Sequence, residues 1–275
     1  LEYNATAYRG DFMRIGFFQF APRFGKPEQN LNALVAALTG AEADLIVAPE
    51  LALSGYLFTC REEVEGMAEP IPGPATDRLE RVAADADCHL VVGMAERSGK
   101  ELFNSAALIG PKGLIGVYRK VHLFHEEKLH FSPGDGGFSV FDVSGVKVGL
   151  LVCFDHIFPE AARTLALQGA QIICHPSNLV LPEYGQLTTR VRSIENRVFW
   201  ILANRYGTER RGGKTLTYTG CSQITADNGE VLVRADERGD SLTVVEVDPD
   251  RAKNKQVTER NDLFADRRVA LYRWE

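Results

Sequence analysis

Three short apolar runs in this chain each end on a chemically reactive residue. Asp44-Leu45-Ile46-Val47-Ala48-Pro49 leads into Glu50, Leu114-Ile115-Gly116-Val117-Tyr118-Arg119 into Lys120, and Val148-Gly149-Leu150-Leu151-Val152 into Cys153. Short apolar runs bounded by Gly and Pro read as buried strands. A buried strand delivers its last residue to the rim of a sheet, where a pocket can form. A carboxylate, an ammonium and a thiol delivered in this way make a set suited to attack on a carbon–nitrogen bond.

The same patterning predicts strands at 14–20, 44–48, 89–95, 103–109, 114–119, 146–152, 171–174, 199–205, 217–225, 230–235 and 241–247, and helices at 27–39, 74–86, 158–168 and 184–197. Asp227-Asn228-Gly229 reads as a hairpin turn. Pro72-Gly73 and Pro133-Gly134 read as loops. Helices alternating with strands imply α/β layers. The extra strands at 103–119 and 217–247 imply a second sheet, so the natural solution is two sheets packed together with helices outside. No low-complexity tract divides the chain. Residues 13–275 read as one domain, and residues 1–12 as a loose extension or an expression remnant ahead of the strand pattern that starts after Met13.

Composition excludes several classes. The chain has 275 residues, 45% hydrophobic and 25% charged, with a net charge of −6 and scattered basic residues. Neither a nucleic-acid nor a membrane surface is expected, and no apolar run approaches the roughly 20 residues of a membrane helix. Leu1 to Asp11 has neither the basic start nor the apolar core of a signal peptide. The five cysteines, at 60, 88, 153, 174 and 221, are odd in number and contain no C-x-x-C. A reducing cytoplasm fits that pattern better than a disulfide framework.

A cysteine at a strand end is most often a core residue, and Cys88, Cys174 and Cys221 read that way. Cys153 differs because polar Asp155 and His156 follow its apolar run. The helix expected at 158–168 would place a positive N-terminal field near the thiol and favour a thiolate. Glu50 has apolar neighbours on both sides, and burial raises a carboxyl pKa toward the range a general base needs. Lys120, beside Arg119, His122 and His125, reads equally well as a solvated strand end. His122-x-x-His125 with His130 nearby has part of a metal-site spacing, but no acidic or cysteine partner completes a motif. Neither a metal nor an organic cofactor is expected.

Several motifs then fall in order. They are Pro49-Glu50-Leu51 with Ser54-Gly55-Tyr56, Tyr118-Arg119-Lys120-Val121-His122-Leu123-Phe124, and Cys153-Phe154-Asp155 with Phe158-Pro159-Glu160. Ala166-Leu167-Gln168-Gly169-Ala170, His175-Pro176-Ser177-Asn178, Glu195-Asn196-Arg197 and Asn261-Asp262-Leu263-Phe264 extend the pattern. Together they resemble the nitrilase superfamily of carbon–nitrogen hydrolases. The resemblance implies a four-layer αββα sandwich, assembled into homodimers or higher homo-oligomers across the helices after the nucleophile. It implies Cys153 as nucleophile, Glu50 as general base, Lys120 as the cation beside the oxyanion, and Glu127 as a second glutamate. The adjacent Glu126 is the competing register for that last position.

The substrate implied is a small molecule, an amide or a nitrile. Relatives that act as true nitrilases generally carry Trp-Glu after the cysteine and a longer C-terminal region, whereas Phe154-Asp155 follows here. Relatives that handle carboxylate-bearing amides or carbamoyl amino acids commonly place Arg within a few residues of the cysteine. Here those positions are Asp155, His156, Ile157 and Phe158, so a bidentate carboxylate clamp is not evident. A neutral aliphatic amide is the expectation, with Tyr56, Phe154, His156 and Asn178 as pocket candidates. The alternatives are a nitrile, an N-carbamoyl amine, the glutaminase half of a larger synthetase, or a non-catalytic scaffold on the same fold.

Overall fold

The computed structural model describes residues 12–272. The expected extension at 1–12 thus lies outside the described residues except for Phe12, which is exposed just before the first strand.

Two six-stranded sheets carry the molecule. The first contains β1 (Met13–Gln19), β2 (Leu45–Val47), β3 (His89–Ser98), β4 (Glu101–Gly110) and β5 (Gly113–Arg119) in that order. The second contains β6 (Val140–Val143), β7 (Val146–Leu150), β8 (Ile172–Ser177), β9 (Phe199–Asn204), then β12 (Gln223–Thr225) and β13 (Val231–Arg234). Between them in sequence, β10 (Tyr206–Arg211) and β11 (Lys214–Thr219) pair only with each other. The strand β14 (Ser241–Val247) returns to the first sheet and pairs antiparallel with β1.

The two sheets repeat one pattern. In the first, β1, β2 and β3 are parallel, and antiparallel strands flank them on both sides. In the second, β7, β8 and β9 are parallel and flanked the same way. The helices α1 (Pro27–Leu38), α2 (Arg61–Met67) and α3 (Pro74–Ala86) lie between the parallel strands of the first sheet in sequence. After a single turn, α4 (Glu127–His130), the helices α5 (Pro159–Leu167) and α6 (Tyr184–Asn196) connect those of the second.

Strand periodicity assigns the faces. Leu45, Val47, Val91, Ala106 and Leu108 share one buried cluster with Val148, Leu150, Ile172 and Phe199 of the second sheet. The alternate residues Ile46, Leu90, Val92, Ala107 and Ile109 pack instead with Leu31, Leu34 and Leu38 of α1 and Leu79 and Val82 of α3. On the other side, Ala161, Ala162 and Leu165 of α5 cover the second sheet. The result is the four-layer αββα sandwich expected from the sequence.

Some elements differ from the sequence reading. The expected strand at 217–225 is two strands, broken at Gly220 and Cys221, whose φ values of 59° and 52° end the extended backbone. The strand β10 was not expected because its sequence, Tyr-Gly-Thr-Glu-Arg-Arg, has no apolar face. The hairpin lies outside both sheets, so no such face is required. Its turn, Gly212-Gly213 at φ 53° and 74°, was a readable signal. The helix α2 was also unexpected; it buries only Val64 and leaves little periodicity to detect.

The helix α6 is inverted relative to an ordinary surface helix. It buries Gln186, Thr189, Arg192, Ser193 and Asn196, and exposes Tyr184, Leu187, Val191 and Ile194. No described helix is long and apolar enough to cross a membrane.

Glu50 and Cys153 follow the C-terminal ends of the parallel strands β2 and β7, and Lys120 follows the C-terminal end of β5. A cleft of about 660 Å³ at the opposite ends, lined by Asp44, His89, Lys112 and Val146, contains none of them.

Candidate active site

Cys153 lies three residues beyond β7 and opens a 3₁₀ turn, Cys153–Ile157. Its φ is 44°, a left-handed conformation that costs a non-glycine residue about 1–3 kcal/mol and persists only where surrounding contacts impose it. Those contacts are visible. The buried Asp155 carboxylate accepts from Val152 N–H at 2.9 Å and Tyr118 OH at 2.7 Å through Oδ2. Through Oδ1 it accepts from His122 N–H at 3.1 Å and His122 Nδ1 at 2.8 Å. Below the turn, His175 Nε2 lies 2.8 Å from the Cys153 carbonyl oxygen.

Glu50 ends the segment after β2 and is fully buried. The chain turns sharply there, with Leu51 at φ 47°. Gly93 of β3 permits the turn to press against the strand. A Cβ at Gly93 would stand 2.5 Å from both Glu50 Cα and the Pro49 carbonyl oxygen.

Lys120 follows β5, where its N–H donates to Asn104 O at 2.8 Å. Its Nζ donates to Glu50 Oε1 at 2.7 Å and to Glu127 Oε1 at 2.8 Å. Asn104 Nδ2 donates to the same Glu50 oxygen at 2.7 Å. Glu50 Oε2 is buried and has no hydrogen-bond partner among the described residues. Lys120 is therefore no solvated strand end: it is buried between two carboxylates.

Glu127, and not Glu126, occupies this group. Its Oε1 also accepts from Tyr56 OH at 2.6 Å, and its Oε2 from Phe124 N–H at 3.1 Å. Glu126 turns outward to Lys214 at 2.5 Å. A helical turn starting at Glu127 points neighbouring side chains in different directions, which decides between adjacent glutamates.

Electrostatics follow from burial. Burial, and then the Glu50 charge, push the Cys153 thiol well above its ordinary range, although Lys120 and a hydrogen bond from the Asn178 backbone pull the other way. Burial raises Glu50 as well, against the opposing pull of Lys120. Burial alone would lower the Lys120 ammonium, but Glu127 and Glu50 outweigh it and the net shift is upward. The expected thiolate-favouring helix field is thereby corrected. The helix α5 begins only at Pro159, beyond the 3₁₀ turn, and desolvation dominates at the sulfur.

The pocket candidates divide. Tyr56 joins the group through its hydroxyl on Glu127. Phe154 packs its ring edge-on against Phe124 and Phe158, at centroid distances of 5.1 and 5.3 Å. Asn178 donates from Nδ2 to the Glu50 carbonyl oxygen at 2.9 Å, and its buried Oδ1 has no partner among the described residues. His156 is directed elsewhere. Its Nδ1 lies 2.5 Å from Thr188 Oγ1 of α6, its carbonyl accepts from Arg192, and burial lowers its pKa to about 4. Of the histidines with partial metal spacing, His122 is tied to Asp155 and stacks on Phe158 at 3.6 Å.

Sequence reasoning quoted Asp155 and His175 within motifs without giving either a role, and it missed Asn104 and Glu209. The last holds the loop that carries Tyr56, accepting from Leu57 N–H at 2.7 Å and Tyr218 OH at 2.9 Å while paired to Arg205 at 2.6 Å. Asn104 and His175 were detectable as polar residues inside otherwise apolar strands. Glu209 had no such signal, because β10 is polar throughout.

A buried thiol, two carboxylates and an ammonium at the strand ends of an αββα sandwich define a class of hydrolase, and comparison with known proteins agrees. Residues 14–256 match the carbon–nitrogen hydrolase family, and the chain belongs to it. It is 43% identical to a protein of Pyrococcus abyssi named nitrilase, over 94% of this chain and 99% of that one. It is 34% identical to an (R)-stereoselective amidase of a Pseudomonas species, over 94% and 93% of the two chains. Among solved structures it resembles an amidase of Nesterenkonia sp. AN1, a Glu-to-Gln mutant that carries the acetamide moiety of fluoroacetamide covalently at its active-site cysteine. There the TM-score is 0.78 with 29% identity, covering 96% of each chain.

The raised thiol yields a prediction. An acid whose pKa is raised stays protonated through the pH where an ordinary thiol would titrate. The ultraviolet difference spectrum between this protein and its Cys153→Ala variant should therefore contain no thiolate band from neutral pH up to pH 9, the ordinary midpoint. A thiolate band at neutral pH would contradict the dominance of burial.

Proposed function

We propose that this carbon–nitrogen hydrolase cleaves a small neutral aliphatic amide to the carboxylic acid and ammonia, with Cys153 as nucleophile. The observation that carries the reading is the division of labour within Glu50. One carboxylate oxygen is held by Lys120 and Asn104, and the other is buried without a partner. A proton acceptor of that kind, beside a thiol that burial keeps protonated, is a general base in waiting.

Glu50 Oε2 takes the thiol proton as the sulfur attacks the amide carbonyl carbon. The Lys120 ammonium has three N–H groups; two are used by the carboxylates, and the third serves the developing oxyanion together with the Phe154 backbone N–H. Each donor to such an oxyanion is typically worth about 3 kcal/mol of barrier. Glu50 passes its proton to the leaving nitrogen, ammonia departs and a thioester remains on Cys153. Glu50 then deprotonates water, which attacks the thioester. The acid leaves as the thiol regains its proton. Glu127 fixes Lys120 throughout, and Tyr56 and Phe124 N–H fix Glu127.

A neutral substrate follows from where the cations are committed. Arg192 is spent on Glu195 and on the His156 and Ile157 carbonyls, while Arg163 donates from Nη2 to the Glu195 carbonyl and lies over the Phe264 ring, its buried Nη1 having no partner among the described residues. The aromatic group of Phe124, Phe154 and Phe158 beside the nucleophile suits an aliphatic acyl chain. Nitrile hydrolysis is the second reading, favoured by the name of the Pyrococcus relative. It proceeds through a thioimidate, whose nitrogen must be protonated and later expelled, and so demands more of Glu50.

Association is part of the proposal. Leu187, Val191 and Ile194 are exposed while the same helix buries polar residues. A contiguous apolar surface of that kind marks an interface, and a second copy of the chain is its proposed occupant. On α5, Leu165 is buried against the sheet and Leu167 is exposed.

Three outcomes are expected. Cys153→Ala should keep the fold, judged by circular dichroism, and lose turnover; ammonia release within tenfold of the parent would remove the nucleophile assignment. For matched pairs such as propionamide and propionitrile, kcat/KM should favour the amide by at least about tenfold, or roughly 1.4 kcal/mol. Equal or faster turnover of the nitrile would make nitrilase the correct activity. Light scattering at micromolar concentration should find a dimer or larger, and Leu187→Lys should shift it toward monomer; a parent protein that is monomeric there would refute the interface.

A further inference from the structure

A buried pair beneath the nucleophile turn has no part in the reaction as written above. Trp200 Nε1 donates to His175 Nδ1 at 3.2 Å, and His175 Nε2 lies 2.8 Å from the Cys153 carbonyl oxygen. Both side chains are fully buried. An indole N–H only donates and a carbonyl oxygen only accepts. The contacts therefore dictate one tautomer, with Nδ1 bare and Nε2 protonated. Burial and the neighbouring His156 hold the ring neutral by pushing its pKa well below the ordinary value.

The carbonyl of Cys153 and the N–H of Phe154 belong to one peptide group, which is planar and trans, so the two bonds point in opposite directions. A donor fixed on the carbonyl consequently aims the N–H to the other side of the chain. Cys153, which carries this peptide group, sits at a φ of 44°, a conformation that the chain does not adopt without support. We propose that His175 is a positioning residue: its Nε2–H anchors the Cys153 carbonyl and thereby aims the Phe154 N–H at the substrate oxyanion, with Trp200 fixing the tautomer. The inference rests on Cys153 being the nucleophile and the Phe154 N–H an oxyanion donor. His175 itself touches neither substrate nor sulfur. Hydrogen bonding at the carbonyl also polarises the peptide and strengthens its N–H as a donor.

The test separates aiming of the N–H from placement of the sulfur. His175→Met removes the donor at similar length, and His175→Gln restores an N–H near the position of Nε2. Turnover of the best amide is compared with modification of Cys153 by methyl methanethiosulfonate, a reaction that forms no oxyanion; mass spectrometry of the Cys153 peptide follows it. Removing an oxyanion donor outright costs about 10²–10³-fold in kcat, and misaiming one should cost at least about tenfold. The expected result is a kcat at least about tenfold lower in His175→Met with KM little changed, an unaltered rate of Cys153 modification, and recovery in His175→Gln. A smaller loss of kcat, or equal losses of turnover and modification, overturns the proposal. Nitrogen NMR of the parent protein provides a check independent of how the variants fold. The neutral Nε2–H tautomer is expected for His175, and the opposite tautomer overturns the proposal. Retained turnover in Cys153→Ala would instead remove the nucleophile reading on which the inference rests, without changing the tautomer.

Discussion

The buried contact of Lys120 with Glu50 and Glu127 is the constraint around which the site is arranged. Removing three charges from water costs several kcal/mol for each ion unless each finds partners. The chain meets that cost with specific donors: Asn104 on Glu50, and Tyr56 and the Phe124 N–H on Glu127. The cluster contains one more negative charge than positive. Burial first, and then the Glu50 charge, raise the Cys153 thiol, and Glu50 Oε2 is the one of the four carboxylate oxygens without a partner among the described residues. The same burial that makes the cluster expensive raises both the Glu50 carboxyl and the Cys153 thiol.

Around the cluster, the backbone is held in conformations it would not adopt alone. Leu51 and Cys153 both have positive φ at the point where a strand gives way to a turn. Each turn is braced by the opposite sheet or by a neighbouring loop. The Asn178 side chain, just past β8, donates to the carbonyl of Glu50 after β2. Tyr118, ahead of Lys120, donates to Asp155, which in turn holds the Cys153 turn. The two sheets are thereby connected at their rims as well as through their shared core. Glu50 and the Cys153 turn are each held in part by a residue from the other sheet.

The outer layers divide between apolar and polar covering. The helices α1 and α3 cover the first sheet with leucines and valines. On the second sheet, α6 turns Gln186, Thr189 and Asn196 inward. There Gln223 Nε2 donates to Gln186 O at 2.9 Å and Thr189 Oγ1 at 2.7 Å. Buried polar groups are ordinarily hydrogen-bonded, and here Gln186 and Asn196 donate from their amide nitrogens to Gly220 O and Arg192 O, while Gln186 Oε1 and Asn196 Oδ1 have no partner among the described residues. The apolar residues that a helix would ordinarily bury are left on its outer face. An amphipathic pattern in the sequence identified the helix and could not say which face would be inside.

The sequence by itself determined the layers and the reactive residues that emerge at their rim. Short continuous apolar runs demand burial on a sheet, and a reactive residue at the end of such a run must emerge at the rim, which is why Glu50 and Cys153 were legible and Lys120 was left between a rim residue and a solvated strand end. Motif order pointed to the family, because the three motifs that carry Glu50, Lys120 and Cys153 each follow a strand. Only the tertiary structure decided the partners. Asn104, Glu209 and His175 meet their contacts across 22 to 153 residues of chain, and no periodicity encodes which distant group a polar side chain will face. The choice of Glu127 over Glu126 depended on the direction of one helical turn. The departure of His156 from the pocket depended on where α6 packs, and the protonation of Cys153 on burial outweighing a helix field. Those outcomes are sums of long-range packing and desolvation, which exist only once the sheets have come together.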